Sequence, residues 1–387
     1  MGIFDKFKKN NQSEPVREVF DNTEGNPMEN EESEPEIIVE SWSPVCDIQA
    51  FVEKSDTCYY LYLWVNPSSD NPQIKTCWIA NRKKSPKELD AEAMQRGSAP
   101  MMPEEFVAHN PDGIELNDDK LSVVWFAEGD AAAVMSGGEL LCVIPGWSDD
   151  RFSGYSIYAK GMGPYAWEMT NALETLSQRV ADSKKKWDYF ETDYWGAVQS
   201  EHLTALENFF GKHEKYYAID GGKFPPKALV TGIKDETVYG ITAGVSLIPM
   251  PQVEMYFQDE TPDNRRIEFG FAVCEQHRAL SEMMYSVMSS LSAYPWQEVT
   301  FFAHGHTIPF NRIKGYSALL FVNPKLTGAE KPEYKPFMGD EINLLWIVPI
   351  TEEEYSFATE SGSEQLIAKA ADLKRIHIFD GSPKFIG

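Results

Sequence analysis

Two histidines one residue apart, His304 and His306 in "FFAHGHTIPF" (301–310), have the type and spacing best suited to chemistry in this sequence. On a strand, residues at i and i+2 point to one side, so both imidazoles could serve one centre. Just upstream, "CEQH" adds Cys274 and His277, and four nitrogen or sulfur donors would satisfy zinc. Yet neither C-x-x-H nor H-x-H is a zinc-knuckle spacing, and nothing in the sequence brings the two pairs together. A metal-dependent hydrolase using the His304/His306 region is therefore the second reading, and no metal or cofactor is expected. Nucleophilic catalysis has less to stand on. Ser246 in "AGVSLIP" lacks the following glycine of a G-x-S-x-G elbow, and Cys274 and His277 share no orienting acid. The phosphate-binding patterns G-x-x-x-x-G-K-[ST] and G-x-G-x-x-G are missing from the sequence. Carboxylates are plentiful, but no spacing singles out an acid–base pair. A sizeable chain without a catalytic constellation reads as a binding protein, not an enzyme.

Charge sharpens that reading. Among 387 residues, 60 acids oppose 35 lysines and arginines, for a formal charge of −25. Such a chain is repelled by nucleic-acid phosphates and anionic membranes, and its field speeds encounter with basic partners. The basic clusters "NRKKSPK" and "SKKKW" read as solvated helix ends. The five cysteines are odd in number, widely spread and mostly set in apolar runs, as reduced thiols of a cytoplasmic protein would be. No apolar run approaches the ~18 residues of a membrane span.

The elements that must position these residues follow from pattern. Residues 1–36 read as a disordered acidic leader; 10–36 hold nine acids and one arginine. Order is expected from about Ile37. Strands are predicted at "IIVESW", "CYYLYLWV", "TCWIA", "LSVVWFA" and "ELLCVIP", with "SGGE" (136–139) as a hairpin turn. "SPKEL" (85–89) predicts a helix start, with Ser85 as N-cap, Pro86 at N1 and Glu88 completing a capping box. A longer helix is predicted through "AWEMTNALETLSQRVA", with Met169, Leu173, Leu176 and Val180 on one face. Another is predicted over 200–213, with Leu203, Leu206 and Phe210 facing the core and Gly211 as its stop. Beyond it, "RIEFGFAV" alternates strictly, as a half-buried strand does. A Met-rich helix with Leu280, Met283, Met284, Val287, Met288 and Leu291 follows. "EVTFFAHG", "SALLFVNP" and "NLLWIVPI" read as strands, and Thr351 with Glu354 makes a capping box. The expected fold is α+β: two domains, each a mainly antiparallel or mixed sheet packed with helices. The first spans 37–194 and the second 195–387.

The order "GITAGVSLIPM", "RRIEFGFAV", the Met-rich helix ending in "YPW", "FFAHGHTIPF", "ALLFVNP", "LLWIVPITEEEY" and "SGSEQLIAKAADL" resembles the suppressor of fused domain over about residues 195–387. Gly244, Ser246, Glu268 and Gly305 carry much of the likeness. Animal members regulate the Hedgehog pathway by gripping an extended transcription-factor peptide. The arrangement here, with a different N-terminal domain and no animal-type C-terminal half, is similar to bacterial members. That resemblance implies an immunity-type protein neutralising a toxin domain. The partner it implies is a protein, either a basic toxin domain or an extended peptide, with no nucleic acid and no membrane. Glu268, His304 and His306 are the candidate partner-binding residues. An intracellular scaffold or regulator, including one that binds through its acidic leader, is a further alternative.

Overall fold

Short runs of β-branched and aromatic residues bounded by turn formers favour sheets. The computed structural model, which describes residues 35–89, 91–95 and 98–386, arranges them into three. Of the expected acidic leader, residues 1–34 lie outside the described residues. The first sheet is antiparallel and runs in chain order: β1 (Glu36–Trp42), β2 (Ile48–Lys54), β3 (Cys58–Val65) and β4 (Gln73–Asn81). Strand β2, "IQAFVEK", is absent from the sequence reading, although Ile48, Ala50 and Val52 alternate into the core. The helix expected at "SPKEL" does not form, and only α1 (Ala91–Gln95) follows it. Ser85 is buried, and its hydroxyl accepts a 2.9 Å bond from Asn81 Nδ2. Asn81 also binds both backbone groups of Met102. Asn81, itself anchored to Met102, has taken the oxygen that a cap needs.

The second sheet comprises β5 (Leu121–Trp125), β6 (Ala132–Ser136), β7 (Glu139–Ile144), β8 (Tyr155–Ser156) and β9 (Trp167–Glu168), paired in that order. The β6–β7 hairpin turns at Gly137 and Gly138, with φ of +56° and +105°, the left-handed geometry that the "SGGE" turn implied. Helix α2 (Leu173–Phe190) starts later than the apolar pattern from Ala166 suggested. Residues 167–168 pair as β9 instead, and Leu173 at the first helical position is 40% exposed, off the face formed by Leu176 and Val180. The helix then runs on through "SKKKW". Helix α3 (Trp195–Phe210) ends where Gly211 takes φ +84°. The expected division near 195 falls at the turn between these helices.

The third sheet is built from β10 (Lys215–Ala218), β11 (Ala228–Lys234), β12 (Thr237–Ala243), β13 (Arg266–Cys274), β14 (Thr307–Pro309), β15 (Ala318–Val322), β16 (Ile342–Ile350) and β17 (Ile378–Phe379). Its order is β10-β11-β12-β13-β16-β15-β14, with β17 also pairing β13; β16 and β17 run parallel to β13 and the other pairs are antiparallel. Helices α4 (Val253–Phe257), α5 (Thr261–Asn264), α6 (Ala279–Leu291), α7 (Tyr294–Gln297), α8 (Pro324–Thr327), α9 (Glu352–Ser361) and α10 (Ser363–Ile367) fill the connections. The fold is thus α+β, with antiparallel and mixed sheets packed by helices.

Strand β13 corrects a prediction. It is buried on both faces, not one. Ile267, Phe269, Phe271 and Val273 enter the core that contains Met284, Val287 and Met288 of α6. Ala272 belongs to the opposite core, with Leu206 of α3, Trp346 of β16 and Leu366 of α10. The alternation in "RIEFGFAV" sets apolar side chains on one face against buried Arg266 and Glu268, then small Gly270 and Ala272, on the other. A Cβ on Gly270 would lie 2.7 Å from the Trp346 ring, so the backbone must come that close. "EVTFFAHG" is not a strand either. Phe301 and Phe302 are buried from an irregular segment, Gly305 turns at φ +83°, and pairing begins only at Thr307.

Candidate partner-binding surface

Glu268 projects from β13 and has no exposed surface. Its carboxylate accepts from Thr242 Oγ1 (2.7 Å), Gly244 N (2.9 Å), Ser246 N (3.1 Å) and Ser246 Oγ (2.6 Å). Those donors converge because β12 ends in a tight turn at Gly244, where φ is +100°. A Cβ there would lie 2.4 Å from the Pro226 carbonyl oxygen. His202 of α3 completes the cluster, with Nδ1 3.0 Å from the Val198 carbonyl and Nε2 3.1 Å from Ser246 Oγ. Since the serine proton is donated to Glu268, the ring must donate from both nitrogens, as an imidazolium does. Burial opposes charge on both groups. His202 Nε2 also lies 3.5 Å from Glu268 Oε1, and this pairing nevertheless holds His202 above, and Glu268 below, their ordinary values. A serine, a histidine and a glutamate within bonding distance invite comparison with a catalytic triad, but all three are buried and the serine is spent as a donor. The cluster pins α3 to the β12 turn; Glu268 offers a partner no surface.

His304 and His306 stand on the other side of β13. His304 Nδ1 accepts the Asn323 backbone N–H at 3.0 Å, which places the proton on Nε2, 3.3 Å from Glu364 Oε1. Burial pushes the His304 and His306 rings below their usual value, partly offset at His304 by Glu364. His304 lines a pocket of about 200 Å³ with Phe257, Asn264, Ile267, Asn323 and Leu326. Ile267 belongs to the N-terminal end of β13, whereas Cys274 ends that strand and His277 packs against Phe379 beyond it. At about 3.3 Å per residue, nine-residue β13 holds the two pairs roughly 25 Å apart. The four donors weighed for zinc do not meet. Among the described residues, no three His, Cys, Asp or Glu side chains are grouped as ligands for a metal ion.

A larger feature went unread in the sequence. A cleft of about 710 Å³ opens between α2 and the segment leading into β13. Buried Glu128, from the β5–β6 turn, bridges Arg179 of α2 (3.4 Å) and Arg265 (3.0 Å). Arg179 also reaches Glu254 of α4 at 2.6 Å. Asp340 joins Arg265 (2.8 Å) to Arg266 (2.7 Å), whose guanidinium also donates to the carbonyls of Ser246 and Leu247. Burial would raise the Glu128 carboxyl, but the surrounding cations hold it at about 2. Two residues on, burial and the Glu128 charge push Asp130 up to about 6. Lys186, buried in the same wall, donates to the Ala127 carbonyl at 3.1 Å, and burial depresses its ammonium well below the ordinary value. Its place was legible: Leu176, Val180, Ser183 and Phe190 continue the buried stripe through "SKKKW".

Residues 253–264 separate the two concavities. Gln258 and Thr261 line the cleft; Phe257 and Asn264 line the His304 pocket. This wall is strained and partly apolar on its outside. Gln252 and Gln258 bracket α4 with φ of +61° and +46°, a region that non-glycine residues enter at a cost. Met255 and Tyr256 are 49% and 66% exposed, with Leu326 on the pocket side and Met338 in the cleft also exposed.

Residues 227–382 match the family model for suppressor of fused protein. The C-terminal part of the chain carries a suppressor of fused domain. Helix α3 and β10 precede the match yet belong to the same body, β10 by pairing with β11 and α3 by supplying His202. Two solved structures are similar. A suppressor of fused homologue from Neisseria gonorrhoeae FA 1090 is 19% identical, covering 45% of this chain and 88% of its own, with a TM-score of 0.29. A Sufu–Fu complex is 13% identical, covering 48% and 90%, with a TM-score of 0.33. Both superpose loosely and fix neither partner nor site. No curated protein matches the chain.

Proposed function

We propose that this protein is a non-enzymatic binder that grips and restrains another protein through the cleft and the α4–α5 wall beside it. The observation that carries this reading is the wall itself. Exposed Met255 and Tyr256 follow Glu254 on α4, exposed Met338 lines the cleft with its charge network already paired in the free chain, and exposed Leu326 lines the pocket on the wall's other side. Aromatic and methionine anchors beside preorganised charge are what a protein interface uses. A suppressor of fused domain supports a protein as the occupant. The finer reading is an immunity-type protein in the cytoplasm whose partner is a basic toxin domain, consistent with a charge of −25. His304 and His306 are proposed as contacts on the rim. Glu268 is proposed to act indirectly, through the Gly244–Leu247 turn it holds. We retain 37–194 and 195–387 as the functional units.

Affinity capture with mass spectrometry, followed by co-expression with the captured toxin, tests the proposal. The full chain is expected to recover one partner and restore growth. A Tyr256→Ala/Leu326→Ala variant, altered only at exposed side chains, should fold normally and weaken capture at least about tenfold. No stable partner, or equal capture by the variant, overturns the binding site argued here.

A further inference from the structure

On the face of the third sheet packed by α3, away from the cleft, a pocket of about 320 Å³ lies between the end of that helix and the C-terminal segment. Its walls are aromatic. Phe210 stacks on Tyr239 with ring centroids 4.0 Å apart, and His377 stacks on Trp346 at 4.6 Å. Phe209 meets Phe210 edge-on. Lys234 is anchored among them: its ammonium donates to the Phe209 carbonyl at 2.7 Å and lies 4.1 Å over the Phe209 ring. Two more cations, Lys374 and Arg375, are exposed at the pocket, and two acids, Asp235 and Glu330, also line it. Burial and the charges of Arg375 and Lys384 hold His377 at about 4, so its ring is neutral near pH 7. With His377 neutral, three cations against two acids leave the lining one positive charge in excess, in a chain of charge −25. Trp346 in its lining has a buried indole N–H with no acceptor among the described residues, a donor that folding usually pairs.

We propose that this pocket binds a small planar anion, a flat π-system bearing a phosphate or carboxylate. The stacked rings take the flat face, while Lys234, Lys374 and Arg375 take the charge. The volume sits at the small end of ligand pockets, which begin at about 300 Å³, and suits one nucleobase or a bicyclic acid better than a peptide. Phosphate and carboxylate ligands share this chemistry, and the probes separate them.

Calorimetric titration of the full chain with adenosine 5′-monophosphate and with indole-3-carboxylate tests the site, using adenosine and indole as neutral counterparts. Saturable one-site binding of at least one anion is expected, at least about tenfold tighter than its neutral counterpart. Binding of the phosphate alone identifies a nucleotide-type ligand; binding of the carboxylate alone identifies an aromatic acid. Lys374→Glu/Arg375→Glu, two exposed changes, should weaken the binding at least about tenfold without moving the unfolding midpoint. No saturable heat with either anion, equal affinity for the neutral counterparts, or unchanged binding by the folded variant overturns the proposal. Should the variant fail to fold, the comparison of charged and neutral probes on the unaltered chain decides alone.

Discussion

At the scale of single residues, the buried Glu268–His202 pair shows how one carboxylate can organise a site it never exposes. Four donors and an imidazolium satisfy it, and removing one member of such a buried pair costs about 3–5 kcal/mol. Its pH dependence has a defined window. His202 is raised above 6.5, so its contribution is complete below 6.5 and fades as pH climbs through its folded value. Glu268 is lowered beneath 4.5, so its contribution is complete above 4.5 and fades as pH falls through its folded value. The stability gap between the unaltered chain and His202→Gln should be widest between these two values. Urea unfolding from pH 3 to 9 measures it, and a gap that stays flat across that range would show the ring to be neutral. The identities of Gly244, Ser246 and Glu268 were visible as parts of a family pattern. Their convergence was not, because it depends on β12 and β13 lying side by side.

At the scale of elements, the helix start at Thr351 was fully legible. Its hydroxyl accepts from Glu354 N, and the Glu354 side chain accepts from Thr351 N, as the spacing T-x-x-E requires. What local spacing could not reveal is the second duty of Glu354. Its other oxygen accepts the backbone N–H groups of Lys384, Phe385 and Ile386, tying the end of the chain to α9. Thr351→Ala should cost about 1 kcal/mol, the usual loss for a cap. Glu354→Ala should cost about three times as much, because it also strands buried donors. Equal losses in denaturant unfolding would reduce Glu354 to a capping residue. The same limit explains "SPKEL", where the cap signal was present but Ser85 is held by Asn81. Helix α2 differs again: its register continued visibly into "SKKKW", and only the prior that lysines face water hid the burial of Lys186.

Across the whole molecule, charge is the dominant long-range term. With −25 on the chain, encounter with a basic partner should be steered, and steering is screened within about 8 Å at physiological salt. The association rate with the captured partner should fall at least about tenfold between low and high salt, while dissociation changes less. Stopped-flow measurement over that range checks this, and a salt-independent rate would mean that the acidic surface serves solubility alone. From Pro35 onward the chain is one compact unit. One continuous apolar cluster runs from Ile48 in the first sheet to Phe269 in the third.

Sequence alone determined the features set by neighbours along the chain. It located most strands, the Gly137–Gly138 hairpin, the α3 stop at Gly211, the Thr351 cap and the net charge, since period, turn chemistry and charge are local or additive. Tertiary structure alone decided which alternating strand is covered on both faces, and that His304 stands at the opposite end of β13 from Cys274. It also set Glu128 against Arg265, 137 residues away, across the cleft. Burial, and with it the strength of every charge in that cleft, depends on what packs from elsewhere in the chain, and no local pattern encodes it.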